Sequence, residues 1–261
     1  MTRAAARAPL NSSRLIRFLT ENDMIGAAPR AEDVGHQLGD WLNFRQAIAL
    51  HSLLGREPQS LSAPLRRAAL LTPEALSQHV QNVRAALEQS IVQGAAQGSG
   101  LSRIDMPQAE LDEPIDPKTV FEPYRRFIAA HQRQMEAVIA TLRQQVRGQL
   151  SKRPALQALA ALDAQFENIL NDREALLLGK VAKLLEKRFV QALKQHLKKQ
   201  AQAETLASTD EACVTTAPTA LTTHWLTPLR QELRAALLAE LDTRLQPILG
   251  LLEAFHTETQ T

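Results

Sequence analysis

The fold of this chain is decided by two long periodic segments and the short break between them: FEPYRRFIAAHQRQMEAVIATLRQQVRGQL at 121–150, SKRP at 151–154 and ALQALAALDAQFENILNDREALLLGKVAKLLEKRFVQALKQHL at 155–197. In both segments, large apolar side chains recur every three or four residues, which is the period of an amphipathic α-helix. Two such helices joined by a short loop fold back on each other with antiparallel axes. The sequence therefore predicts a long, coiled-coil-like antiparallel helical hairpin over residues 119–202.

The composition of the whole chain also favours helices. It has 261 residues, of which 44% are hydrophobic, 4% are aromatic and 22% are charged. Ala and Leu are abundant, whereas the aromatic and β-branched residues that favour strands are scarce. A single Cys cannot form an internal disulfide, and a formal net charge of +2 gives no overall attraction to nucleic acid. We therefore expect an all-α protein.

Proline and glycine divide the rest of the chain into shorter units. Thr72 followed by Pro73 predicts the start of a helix that runs to Gly94. Asp40 is expected to cap another helix over 41–54. Acidic residues among prolines after Gly94 indicate a linker. We expect five units: an N-terminal helical subdomain of short helices (1–93), an acidic Pro/Gly linker (94–118), the hairpin (119–202), a flexible linker (203–222) and a C-terminal amphipathic helix (223–256).

The C-terminal unit has leucines on one face of a helix. Leu229, Leu233 and Leu237 are four residues apart, which is the spacing of one helical face. Pro247 is expected to bend or end this helix because proline cannot donate the next backbone hydrogen bond. This helix can pack against the hairpin or against another chain.

Motifs for catalysis or cofactor binding are not found in the sequence. No glycine-rich phosphate loop and no nucleophile elbow occurs, and no histidine has a His or Cys partner at helical spacing. Asp163, Glu167 and Glu174 have the spacing of carboxylates in helical di-metal sites, but the Glu-x-x-His motif of those sites is missing. We therefore predict no catalytic, cofactor-binding or metal-binding residues and no enzymatic activity.

Apolar residues on the predicted stripes are the candidates for binding another protein. An adaptor would present such stripes to itself or to a partner. Each of the same positions fits the hydrophobic core better than an interface. The candidate interface residues are Tyr124, Phe127, Phe189, Trp225 and Leu229.

Basic residues form a second candidate surface on the second hairpin helix. We call the following set the lysine stripe, because its members fall on one side of that helix: Lys180, Lys183, Lys187, Lys194 and Lys198. Such a stripe can bind the phosphates of a nucleic acid or an anionic membrane surface. The ordinary alternative is the solvated side of an exposed helix, and the stripe lacks the aromatic residues that stack on bases.

Several stretches resemble one family of bacterial proteins. They are WLNFRQAIAL at 41–50, FEPYRR at 121–126, LAALDA at 159–164, REALLL at 173–178 and LLEKRF at 184–189. Together they resemble an uncharacterised all-helical family of unknown function, found mainly in proteobacteria, and the likeness covers about residues 13–200. Asn43 and Phe44 stand where that family more often has glycine and tryptophan. The resemblance implies genes placed beside inner-membrane proteins and envelope proteins of the motility-motor or outer-membrane-protein-A type. It brings no activity and no catalytic residues.

These observations lead to two expectations about function. The first is a non-enzymatic helical scaffold or adaptor that associates with a membrane or envelope complex, with a homo-oligomer as a further possibility. The second is a module that binds nucleic acid or an anionic surface through the lysine stripe, with nucleic acid the less favoured ligand. The first residues lack the apolar core of a signal peptide, and no apolar run approaches the about 20 residues that cross a bilayer. We expect a cytoplasmic protein, with a position at the inner membrane as an alternative.

Overall fold

The structure is a computed structural model, and it describes residues 13–26, 34–54, 71–95, 98–108, 117–207 and 225–260. All regular secondary structure in these ranges is helical, which confirms the all-α prediction. The helices are α1 (Arg14–Glu21), α2 (Val34–Trp41), α3 (Phe44–Leu54), α4 (Pro73–Gln93), α5 (Pro117–Leu150), α6 (Gln157–Ala207) and α7 (Leu226–Gln260).

Helices α5 and α6 form the hairpin. A short turn after Leu150 and one 3-10 turn (Pro154–Leu156) join them. Near this turn Arg143 bonds Asp163, and far from it Arg125 bonds Glu186, so the two axes are antiparallel. Helix α6 contains 51 residues, a length of about 75 Å at 1.5 Å per residue.

Helix α7 lies at the centre of the molecule and packs on α5, α1, α4 and α6. Most of its leucines and Phe255 are buried, whereas Leu238 and Leu249 are partly buried. It also continues through Pro247 to Gln260, so the proline does not end the helix. The C-terminal helix therefore packs within its own chain and completes the core of the hairpin.

The described N-terminal helices pack against the long helices, and whether residues 1–93 form a separate subdomain stays a prediction. Helices α1 and α4 pack on α7, and α3 packs on α6. Leu15 of α1 and Leu76 of α4 belong to the same hydrophobic cluster as the hairpin residues. Short helices bury little apolar area alone, so they are stabilised by the long ones.

The boundary between α2 and α3 differs from the expected one. The helix does not start after Asp40, because α2 runs through it to Trp41. Instead Asn43 caps α3: its Oδ1 accepts from the Gln46 amide at 2.9 Å, and the Gln46 side chain accepts from the Asn43 amide at 3.0 Å. This is the reciprocal pattern of a capping box.

The described part of the predicted acidic linker is held against the core. Leu101, Ile104 and Met106 contact the buried cluster, and Arg230 donates to the Pro107 carbonyl at 2.9 Å. Residues 98–108 are therefore an anchored segment without helix. Residues 109–116 lie outside the described residues, as do 208–222 of the second predicted linker, whose first residues belong to α6.

Candidate docking surface on the long helix

The candidate interface residues lie in the interior of the molecule. Tyr124, Phe127, Phe189 and Leu229 are all buried, and Trp225 is partly buried. The Phe189 ring lies 5.2 Å from that of Tyr124 and 5.6 Å from that of Trp225. Their periodicity thus marks the face of each helix that packs within the chain. Of the five, Trp225 keeps some exposed area, and whether any of them contacts a partner stays a prediction.

The lysine stripe lies on the surface of α6. All five of its side chains are exposed, and none makes an ion pair within the described ranges. Lys180 and Lys198 are 18 residues apart, so the stripe extends over about 27 Å of the helix. Whether the stripe binds an anion stays a prediction.

The structure also exposes a group of large apolar side chains that are not among the candidate interface residues. The most exposed on α6 are Leu176 at 64% and Leu177 at 51%. Trp41, Phe44 and Ile48, on or beside α2 and α3, are exposed too. The sequence contains one signal for this exposure, because three successive leucines at 176–178 cannot all face the same side of a helix. Only Leu178 is buried.

A mostly apolar groove of about 480 Å³ separates α1 from α6. Both helices pack on α7, whose Thr243 also lines the groove. We call it the α1–α6 groove; it is lined by Leu15, Ile16, Leu19, Ile25, Trp41, Leu170, Arg173, Glu174, Leu177, Leu178, Lys180, Val181, Leu184 and Thr243. The guanidinium of Arg173 lies 5.2 Å from the centre of the Trp41 ring, which holds a cation at the rim.

Two rows of residues on α6 follow the groove with a period of seven. Leu170, Leu177 and Leu184 line it and are seven residues apart. A second row, three residues further along, is entirely cationic, and we call it the basic row: Arg173, Lys180, Lys187 and Lys194. In heptad notation, leucines at d with cations at g have this relation. The a positions of this heptad are Glu174, Val181 and Arg188, so the leucine row and its flanking cations repeat every seven residues without a complete apolar a/d seam. Glu174 also lines the groove and pairs with Arg244 at 3.5 Å.

The carboxylates that resembled a di-metal set are bonded to arginines instead. Asp163 accepts from Arg143 at 2.6 Å and from Arg147 at 3.1 Å, and Glu167 also accepts from Arg147. Burial alone would lower the pKa of Arg143, but its bonds to Asp163 raise it above the usual value. In the ranges that the structure describes, no group of three His, Cys, Asp or Glu side chains is placed to hold a metal ion. This cluster ties α5 to α6.

Two buried ionisable groups lie where α5 faces α7 or the core. Burial lowers the pKa of His131 to about 4, and its ring packs edge-on to Phe127 at 4.6 Å. Burial raises the pKa of Glu240, although Gln132 donates to it at 2.9 Å and Arg244 lies beside it. Both groups are enclosed by packed helices, so we assign them to the structure of the core.

The comparison with protein families agrees with the resemblance seen in the sequence. Residues 1–257 match the family described as protein of unknown function (DUF3348). The chain belongs to this family. The match extends the likeness over nearly the whole chain, and DUF3348 carries no activity that could be assigned to a residue. No curated protein and no solved structure matches the chain. Within the described residues of this DUF3348 protein, none of the helices is long and apolar enough to cross a membrane.

Proposed function

We propose that this DUF3348 protein is a non-enzymatic helical scaffold or adaptor that binds a protein partner through the outer face of its hairpin. The observation that carries the proposal is the exposure of Leu176 and Leu177 in the middle of a helix whose opposite face is buried. Large apolar side chains gathered at one place on a surface are typical of sites that bind another molecule.

The position of this surface also supports an adaptor. Leu176 and Leu177 belong to α6, which packs on α5, α3 and α7, so a partner bound there would contact the helix that joins these three. The proposed setting is the cytoplasm beside a membrane or envelope complex, as the family resemblance implies. A homo-oligomer is a second form that such a scaffold can take.

Affinity capture from the native host, followed by light scattering of the captured complex, tests the proposal. We expect a protein recovered in stoichiometric amount, with an envelope component among its neighbours after crosslinking. A strictly monomeric chain that recovers no stoichiometric protein would overturn the adaptor function.

The lysine stripe supports a second candidate function, a module for nucleic acid or an anionic surface. All five lysines are exposed and make no ion pair in the described part of the chain. Binding of this kind weakens steeply with salt because counterions are released. The triple variant Lys183→Glu, Lys187→Glu, Lys194→Glu should therefore lose salt-dependent binding to a 30-nucleotide single-stranded DNA or to phosphatidylglycerol vesicles. Equal binding by the variant and the native protein would end this candidate.

A further inference from the structure

We propose that the α1–α6 groove binds an amphipathic helix of a partner protein, and that this helix carries acidic residues along the flank facing the basic row. The inference rests on the proposed adaptor function and deepens it, because it names the chemistry of the partner.

The shape of the groove fits a helix. Its two walls are themselves helices, α1 and α6, and its base reaches Thr243 of α7. From Leu170 to Leu184 it follows α6 for 14 residues, about 21 Å at 1.5 Å per residue. A helix lying in a trench between two others is a common mode of recognition, read through apolar anchors at i, i+3, i+4 and i+7.

The seven-residue period of the groove specifies the packing. The leucine row Leu170, Leu177, Leu184 presents a side chain at each heptad, and a partner helix fills the spaces between them with its own apolar residues. Leu177 is half exposed among the residues that the structure describes, so its side chain is accessible to a partner helix. Val181, which is buried at the base of the groove, joins this seam to the core.

The basic row specifies the charge of the partner. Arg173, Lys180, Lys187 and Lys194 recur every seven residues, about 10.5 Å along the helix. None of the four makes an ion pair in the ranges that the structure describes. Charges at flanking heptad positions select partners by pairing with opposite charges across the seam. A helix with Glu or Asp at its facing flank positions supplies these partners.

The same row disfavours the other occupants. Two α6 helices from two copies would bring like cations to one seam. An anion with a single headgroup, such as a fatty acid, could use the cations at the groove, Arg173 and Lys180, but not those beyond its end. A flat bilayer contacts protruding residues, whereas these leucines line the α1–α6 groove. A helix is the ligand whose charges repeat with the same period.

Three matched peptides of 21 residues provide the probe for this proposal. Each contains three heptads with Leu and Val at the apolar positions, and they carry only Glu, only Gln or only Lys at the flank positions. We expect the Glu peptide to bind the full-length protein in fluorescence anisotropy, with the Gln peptide weaker and the Lys peptide at least about tenfold weaker than Glu. Glu at both flanks also keeps this peptide from pairing with itself.

Substitutions in the protein locate the binding. Leu177→Glu should weaken binding of the Glu peptide at least about tenfold, and the milder Leu177→Ser should weaken it less. The double variant Lys180→Glu, Lys187→Glu should lose the Glu peptide and gain the Lys peptide, a charge swap that a loss of folding cannot produce. Two controls should bind normally: Val92→Glu, an exposed apolar residue on α4, and Lys198→Glu, which lies outside the basic row.

The outcomes separate the helix from other occupants and from the adaptor function. Absence of binding by all three peptides, or binding of the Glu peptide that Leu177→Glu does not change, overturns the inference. Phosphatidylglycerol vesicles that bind the native protein but not Leu177→Glu would assign the groove to lipid. If a stoichiometric partner from the host still binds Leu177→Glu, the adaptor function stands and the groove assignment fails. If no partner is captured but the Glu peptide binds, the groove assignment stands and the adaptor function fails.

Discussion

The substitution Asp163→Asn tests the ion-pair cluster that joins the two hairpin helices. Asp163 accepts hydrogen bonds from Arg143 Nη2 at 2.6 Å and Nε at 2.9 Å, and from Arg147 Nη1 at 3.1 Å. The side chain of Asp163 is 10% exposed, that of Arg143 12% and that of Arg147 16%. Asparagine has the same shape but no charge, so two enclosed guanidinium groups lose their shared anion.

The expected loss of stability is about 3 kcal/mol. Removing one partner of a buried ion pair costs about 3–5 kcal/mol, because the other charge stays buried without compensation. Glu167 moderates the loss, since it still pairs with Arg147 and lies 3.9 Å from Arg143. We therefore take the lower end of that range.

Urea unfolding at pH 7, followed by circular dichroism, measures this loss by linear extrapolation. The matched control is Asp172→Asn, which removes an exposed carboxylate from the same helix and should change stability by less than about 0.5 kcal/mol. In a double-mutant cycle, Arg143→Gln combined with Asp163→Asn should cost less than the two single changes added together. A loss below about 1 kcal/mol, or strict additivity of the two, would refute the assignment of this cluster to hairpin stability.

Three further predictions use the same urea assay. Because burial lowers the pKa of His131 to about 4 from 6.5, only the unfolded chain binds the proton between these values, and stability falls as the pH drops. The fall should be about 2 kcal/mol between pH 7 and pH 5, and His131→Leu should remove it; an unchanged pH dependence contradicts this origin. Phe189→Ala should cost about 3–5 kcal/mol because its ring contacts three other aromatic rings, whereas Phe44→Ala, at an 80% exposed position, should cost less than about 0.5. Similar losses for the two would contradict the assigned core. Thr72→Ala should cost about 1 kcal/mol because its side chain caps α4, and Ser13→Ala, whose hydroxyl makes no cap bond, should cost clearly less. Equal losses would rule out capping as the cause.

Two helix ends that depend on residues close together in the sequence were predicted correctly. The break at Pro154 separates α5 from α6 because proline follows a short polar turn. Thr72 caps α4 through a bond to the Ala75 amide at 3.2 Å, as its position before Pro73 indicates. These signals act over a few residues, and local sequence is sufficient to read them.

The antiparallel pairing of α5 and α6 was predicted, but the arrangement of the other helices around α7 was not. The sequence shows that α7 has an apolar face, but its central position depends on contacts with α1, α4 and α5 from three other parts of the chain. The sequence groups the N-terminal helices into one unit because they are neighbours along the chain, and that grouping stays a prediction. Their burial against α7 depends on surface complementarity that periodicity does not encode.

The candidate surface shows the same limit within a single helix. Helix α6 has one apolar face for the core, which includes Val181 and Phe189, and a second that lines the α1–α6 groove through Leu170, Leu177 and Leu184. Apolar residues therefore occur around much of this helix, and either face shows apolar residues spaced three or four positions apart. Four aromatic residues and Leu229 were the interface candidates from the sequence, because large apolar residues are typical of both cores and interfaces. The position of α1, which leaves the groove beside α6, identifies the apolar face that stays open among the described helices. The basic row lies along that face. Once the groove is known, the positive charge of this row therefore predicts a partner helix with acidic residues.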